Sequence, residues 1–266
     1  MLKKIFLYNG IKKNYLNLKK IKNYLEEKTG FKIEIRDEFI NYCISKISVE
    51  EEKIKLIDKL SDDIARIRII NPNKKEIERI PHPIEINLEK KYILKWAEKP
   101  IGNFYNGFEL ILIFSNLIPK EETNLKYCHI VFTNQLFGTW DEKNFRYHAR
   151  VVVFGFPTII STTGLVEGPA KPREFYLKKQ MGIDPLILKE EFKGRFIDYE
   201  DPRITEIMKG YVMQAIFFHL FGNPFCSDKN CRLYNAHWQE EVINAQLKGD
   251  YEFCGEHEGI LKKIKA

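Results

Sequence analysis

Two close-spaced pairs of metal-binding side chains lie near the end of the chain. Cys226 and Cys231 are separated by four residues, Ser-Asp-Lys-Asn, and Cys254 and His257 by two, Gly-Glu. Written out, the pattern is C-x4-C-x22-C-x2-H. Two ligand pairs on two tight turns are the layout of a structural zinc site. Zinc takes four soft or borderline ligands at tetrahedral angles, and a turn supplies two of them at little ordering cost. Thiolates bind as anions, so the ion also neutralises a cluster that would otherwise repel itself. The alternative is three core cysteines and a surface histidine. It fits poorly, because Cys254 and His257 lie in the polar run 252–258. One structural zinc held by Cys226, Cys231, Cys254 and His257 is the expectation.

The clearest single element, 202–221, precedes these pairs. Asp201 is a good N-cap, and Pro202 sits at the first helical position, where its missing N–H does no harm. Ile204, Ile207, Met208, Tyr211, Ala215 and Phe218 form an apolar face. Gly222 follows as a stop and Pro224 prevents continuation. The helix ends Ala215-Ile216-Phe217-Phe218-His219-Leu220-Phe221-Gly222-Asn223-Pro224-Phe225-Cys226. This stretch resembles the archaemetzincins, zinc metallopeptidases with the pattern HExxHxxGxxxC-x4-C-x-M followed by a spacer and C-x2-C. His219, Gly222, Cys226 and Cys231 fall in register with it, and Cys254 and His257 stand for its last pair, with His replacing Cys. The resemblance implies a zinc metallopeptidase of metzincin type.

The departures from that pattern matter as much. Ala215 occupies the place of the first catalytic histidine and Ile216 that of the glutamate base. Phe225 replaces the third zinc histidine, and Leu233 stands where the family's turn has methionine. A catalytic zinc needs three protein ligands and an open position for water, and that water needs a proton acceptor. Neither Ala215 nor 222–225 can complete a sphere begun by His219, the one surviving catalytic position. The chain is therefore expected to keep the structural zinc and lack HExxH-type peptidase activity. A second, catalytic ion is not expected. These apolar side chains would fill the old metal cavity, with His219 as a hydrogen-bonded buried histidine.

Elsewhere the sequence reads as a mixture of strands and helices. Strands are predicted at 4–8, 32–36, 67–70, 108–114, 128–132, 148–154 and 158–161, and helices at 15–28, 49–64 and partly 84–97. The segment 161–173, rich in glycine and proline around Glu167, Lys171 and Arg173, reads as a rigid polar loop. The fold class is α/β (α+β). It is read as a single metzincin-like domain over 1–266, with a twisted mixed sheet, an active-site-type helix at 202–221 and a zinc-pinned tail. Its N-terminal sheet and helix part would run to about 200 and its C-terminal helix and zinc part from about 201.

Three functions remain open. One is an inactive peptidase relative that binds a peptide or protein in the old cleft by β-strand addition. A second is a hydrolase with rearranged ligands, including His219, His148 and one of Cys128 or His129. Cys128 and His129 are strand neighbours, so at most one faces any site. His237 is a further candidate near the cleft, although an exposed helix surface is the simpler reading. The third is a nucleic-acid-associated zinc protein. It is the weakest, because 43 basic against 37 acidic residues leave an excess of only +6, spread along the chain. Hydrophobic residues at 44% and charged residues at 30% exclude a disordered or coiled-coil chain. No leader or membrane span is read, so a cytoplasmic location is expected, where Cys43 and the other cysteines would stay unpaired.

Overall fold

The computed structural model describes residues 2–75, 78–95 and 103–265. In chain order the elements are β1 (Lys4–Asn9), α1 (Leu18–Thr29), β2 (Lys32–Arg36), α2 (Phe39–Ser45), α3 (Glu50–Arg66), α4 (Pro83–Lys95), β3 (Phe104–Asn106) and α5 (Gly107–Ser115). There follow β4 (Tyr127–Thr133), β5 (Leu136–Asp141), β6 (Arg146–Arg150), β7 (Val152–Val153), β8 (Thr158–Ser161) and α6 (Thr162–Glu167). The chain closes with α7 (Arg173–Gln180), α8 (Pro185–Glu191), α9 (Ile204–Phe221), α10 (Gln239–Ile243) and α11 (Gly255–Lys265). This is a mixed α/β chain. Among the described residues, no helix is long and apolar enough to cross a membrane.

The chain divides into two compact units. The first comprises Met1–Lys13 and Lys32–Gly164, the second Asn14–Phe31 and Leu165–Ala266. The first is built on a mixed five-stranded sheet in the order β2-β1-β4-β8-β7. β1 pairs in parallel with β2 and β4, β4 in parallel with β8, and the two-residue β7 closes the edge antiparallel to β8. Alternation along β1 sends Phe6 and Tyr8 to one face, where they pack with Phe39, Leu60, Phe114, Val131 and Ile159. Burying each such side chain contributes roughly 1.5–3 kcal/mol. A smaller sheet, β3-β5-β6, sits in the same unit.

In the second unit α1 packs on α9 and α11. Asn17 caps α1 by accepting from the Lys20 amide, and Gly30 ends it at φ 71°, where its N–H reaches the Glu26 carbonyl. Only a residue without Cβ adopts that backbone freely. α9 is apolar on nearly every side, and 210–217 are all buried. Such a helix belongs to an interior.

Several expectations are corrected. The run 108–114 is not a strand but the body of α5. Asn106 caps it by accepting from the Phe108 amide, and burial of Leu110, Ile111 and Phe114 follows the helical period. Residues 67–70 form no strand; Arg68 makes one isolated bridge to Tyr105. The predicted helix 202–221 begins at Ile204, because the Asp201 carboxylate takes the Arg203 amide at 2.9 Å and its guanidinium at 2.7 Å, closing a separate turn. The segment 161–173 is a loop only over 168–172; before it come the end of β8 and all of α6, and Arg173 already begins α7. α4 bears out the helix of 84–97 as far as Lys95, and Trp96 and Ala97 lie outside the described residues.

Candidate metal centre

The first ligand pair is set by the turn that follows α9. Gly222, at φ 73°, gives its N–H to the Phe218 carbonyl and stops the helix. Cys226 is then fixed by its N–H to the Leu233 carbonyl at 2.9 Å, and Leu233 itself is fully buried. The intervening turn folds on local polar groups. Asp228 accepts from the Asn230 amide at 3.0 Å, Cys231 donates its N–H to the Asp228 carbonyl at 3.1 Å, and Tyr251 donates its hydroxyl to the Asp228 carboxylate. The Asp228 N–H points at Cys226 Sγ, 3.4 Å away. That donor favours the thiolate.

The second pair stands at the start of α11. The Cys254 carbonyl accepts the Glu258 N–H at 2.9 Å, so Cys254 occupies the N-cap and His257 lies in the first turn on the same side. The positive end of a helix stabilises an anion there. Phe217 of α9 sets its ring edge against the His257 imidazole, with centroids 5.3 Å apart.

These turns bring the four side chains together, with all ligand atoms within 4.8 Å of one another. Cys226 Sγ lies 3.8 Å from Cys254 Sγ, Cys231 Sγ 3.9 Å from His257 Nδ1, and Cys254 Sγ 3.0 Å from His257 Nδ1. A tetrahedron of sulfurs at ~2.3 Å from zinc has edges of about 3.8 Å. The arrangement could hold one metal ion. Burial pushes the Cys231 and Cys226 thiols up, with the neighbouring sulfur of Cys254 adding to it. A cation that accepts thiolates removes that penalty and releases protons.

The other candidate residues do not join this cluster. Ala215 and Ile216 are fully buried in α9, and Phe225 is half-buried. His219 is half-buried rather than buried, because it lies in the last turn of α9. His237 is exposed, while its backbone carbonyl takes the Ala170 N–H at 2.8 Å and its N–H donates to Glu241 at 2.8 Å. His148 of β6 lies 3.6 Å from Asp141. Burial first, then Arg146 and Arg150, hold its pKa below the usual histidine value. Cys43 and Cys128 are buried, and burial raises both thiols to about 12, so neither is an activated nucleophile.

His129 has a different role, which sequence reasoning missed. Arg36 is clamped between the rings of Phe6 and Tyr42, at 3.4 and 4.3 Å. Its guanidinium donates twice to the Glu122 carboxylate, each at 2.7 Å, and once to the Tyr8 oxygen at 2.9 Å. Tyr8 therefore has its proton free to donate to His129 Nδ1, 2.9 Å away. The proton of neutral His129 then sits on Nε2, which donates to the Glu122 carbonyl at 3.2 Å. The ring starts and ends at Glu122, and every member is satisfied. Both imidazole nitrogens are thus used structurally.

The hydroxyls of 161–173 are also structural. Ser161 donates to the Gln135 carbonyl at 2.6 Å and Thr163 to the Asn134 carbonyl at 2.7 Å. The Gly164 amide donates to Ser161 Oγ at 2.8 Å. These bonds staple the end of β4 to the start of α6.

No curated protein matches the chain. Two solved structures are similar to it. One is a zinc-dependent peptidase from Methanocorpusculum labreanum (strain Z), 12% identical, covering 97% of this chain and 99% of that one, with a TM-score of 0.46. The other is an archaemetzincin from Methanopyrus kandleri, 11% identical, covering 99% and 95%, with a TM-score of 0.45. Residues 1–264 match the model of the Probable metallopeptidase family (DUF6775), and the chain belongs to that family.

Proposed function

We propose that the chain is a metallopeptidase-family protein that holds one structural zinc and lacks HExxH-type peptidase activity. The convergence of three thiols and an imidazole carries the first half. Cys226, Cys231, Cys254 and His257 fit zinc by donor chemistry, soft sulfur with borderline nitrogen. Four protein ligands leave no position for water, so the bound ion supplies a cross-link rather than a Lewis acid. It would tie the turn after α9 to the start of α11.

The second half rests on α9. One turn before His219 stands Ala215, followed by Ile216, both fully buried and without a metal-binding or basic atom. A hydrolytic zinc on this helix would have one histidine and no proton acceptor for its water. Family membership makes a peptide or protein chain the expected ligand, and strand addition at a sheet edge is the mode that backbone chemistry favours.

Elemental analysis of purified, untagged protein tests both halves. The expected result is one zinc per chain, lost in Cys254→Ser and kept in His219→Ala, with no zinc-dependent cleavage of a peptide library. Protein without zinc at neutral pH would overturn the first half. A second ion that His219→Ala removes, or cleavage that a chelator stops, would overturn the second.

A further inference from the structure

In the first unit the apolar core comes to the surface between α3 and α5. A groove of about 920 Å³ lies there, lined by positions 56, 59, 60, 63 and 66 of α3 and by 109, 112 and 113 of α5, with 116 and 117 just beyond its end. Steps of three and four put each set on one face of its helix. The remaining wall comes from 67–69, Lys75, 78–80, Asn106 and Tyr147. Leu56, Ile67, Ile113 and Leu117 are only half-buried against the core. Leu112 and Ile80 stand 57% and 86% exposed. Gathered apolar surface of this kind, rimmed by polar groups, marks a place where another molecule sits.

The charges on the rim are not equally free. Arg66 pairs with Asp62 at 2.7 Å and Lys75 with Glu142. Arg68 donates to Glu85 at 3.3 Å and to Asn103 Oδ1 at 3.0 Å. Arg79 pairs with the same Glu85 and donates to the Ala65 carbonyl at 2.6 Å. None of these acids lines the groove. Its own carboxylates, Asp63, Glu78 and Glu109, accept no hydrogen bond and make no ion pair among the described residues. Lys59 is the only cation of the described wall in the same position. Three available carboxylates against one ammonium select a basic ligand. The two long walls are helix faces rather than a strand edge, so they suit a chain that meets its own backbone hydrogen bonds. Positions 56–66 run about 15 Å along α3, the length of a helix of about three turns.

We propose that this groove takes a basic amphipathic helix of a partner protein. Apolar side chains at three- and four-residue spacing would cover Leu56, Leu112, Ile113 and Leu117, and lysines or arginines beside them would meet Asp63, Glu78 and Glu109. The groove uses no residue of the cysteine cluster or of α9, so it does not depend on the zinc or peptidase readings.

Fluorescence anisotropy on the full chain tests the proposal with a labelled 14-residue probe, Leu-Lys-Lys-Leu-Leu-Lys-Leu written twice. Saturable one-site binding is expected, with slowed amide exchange over 56–66 and 109–117. The same peptide with Glu for every Lys is expected to bind at least ten-fold more weakly, although the chain's net charge of +6 would favour it in bulk. A version with proline at its centre, which breaks the helix, should lose as much. Leu112→Ser is expected to weaken the probe at least ten-fold. Asp63→Asn combined with Glu109→Gln is expected to remove most of the preference over the acidic peptide, in both cases at unchanged Tm. Leu186→Ser, at a leucine 75% exposed outside the groove, is expected to bind as wild type. No saturable binding, equal affinity for the acidic or the proline peptide, wild-type behaviour of Leu112→Ser or of the double variant, or protection confined to other segments would each overturn it. So would a concentration-dependent dimer that Leu112→Ser dissolves, since a second copy would then cover the groove.

Discussion

Replacing Tyr8 by Phe removes one oxygen from the closed ring of Arg36, Tyr8, His129 and Glu122 and leaves the aromatic packing in place. Tyr8 is fully buried and His129 is 1% exposed, so no bulk water reaches the gap. Arg36 Nη1 keeps its 2.7 Å bond to Glu122, so the arginine is not orphaned. His129 Nδ1 is, because the Tyr8 hydroxyl 2.9 Å away was its donor. One buried acceptor left unpaired costs about 1–3 kcal/mol. We expect a loss of about 2 kcal/mol, which for a chain of this length lowers Tm by about 4–8 °C. Urea unfolding at constant m reads it as a lower midpoint. His129→Leu removes the acceptor itself. The double variant should therefore lose less than the two single losses added, by about 0.5–3 kcal/mol. A wild-type midpoint for Tyr8→Phe, or strict additivity, would refute the reasoning, since either result means that the Tyr8 proton does not serve His129.

Three other outcomes are expected. Gly210→Ala puts a Cβ 1.8 Å from Gln246 Oε1, whose amide is tied to the Arg232 carbonyl at 2.8 Å; overpacking should cost about 1–3 kcal/mol, and Gln246→Ala should restore most of the denaturation midpoint. At Glu206, burial alone would raise the carboxyl, but Arg232 and Lys209 override it and hold the pKa below the usual range. A depressed native pKa stabilises above the unfolded value of about 4.3 and is lost as pH falls below it. Tm should therefore fall less steeply below pH ~4 in Glu206→Gln than in wild type, and equal slopes would count against the pairing. Finally, a strong chelator at neutral pH should remove the metal and lower the protection of the 226–231 and 254–257 amides from hydrogen exchange, leaving β1 and β4 unchanged. Loss of protection throughout would mean that the ion supports more than the tail.

The most legible features of the sequence were those carried by short spacing. Cys226 with Cys231, and Cys254 with His257, need only a turn each, so ligand type and spacing announced the pairs before any fold was known. The substitutions in α9 were equally readable, since positions four apart on a helix share a face whatever surrounds them. The run 108–114 was not readable, because six apolar residues interrupted only by Glu109 suit a buried strand as well as a buried helix. Asn106 and the one-sided burial of Leu110, Ile111 and Phe114 decided it. Likewise 161–173 showed its polar residues but not their partners, the carbonyls at the end of β4.

The sequence by itself determined the donor set of the tail and the absence of a base and a second histidine beside His219, because local chemistry at fixed offsets needs no tertiary context. Tertiary structure alone decided whether the two ligand pairs meet, what His129 does, and where a cavity opens. Arg36 and Glu122 are 86 residues apart, and Tyr8 meets Arg36 only through the register of β1 on β2. Gly10 and Gln135 come to line one cavity because β1 and β4 are paired neighbours. Strand register and order bring together residues that nothing in their own surroundings selects for one another. A single sequence does not display that pairing.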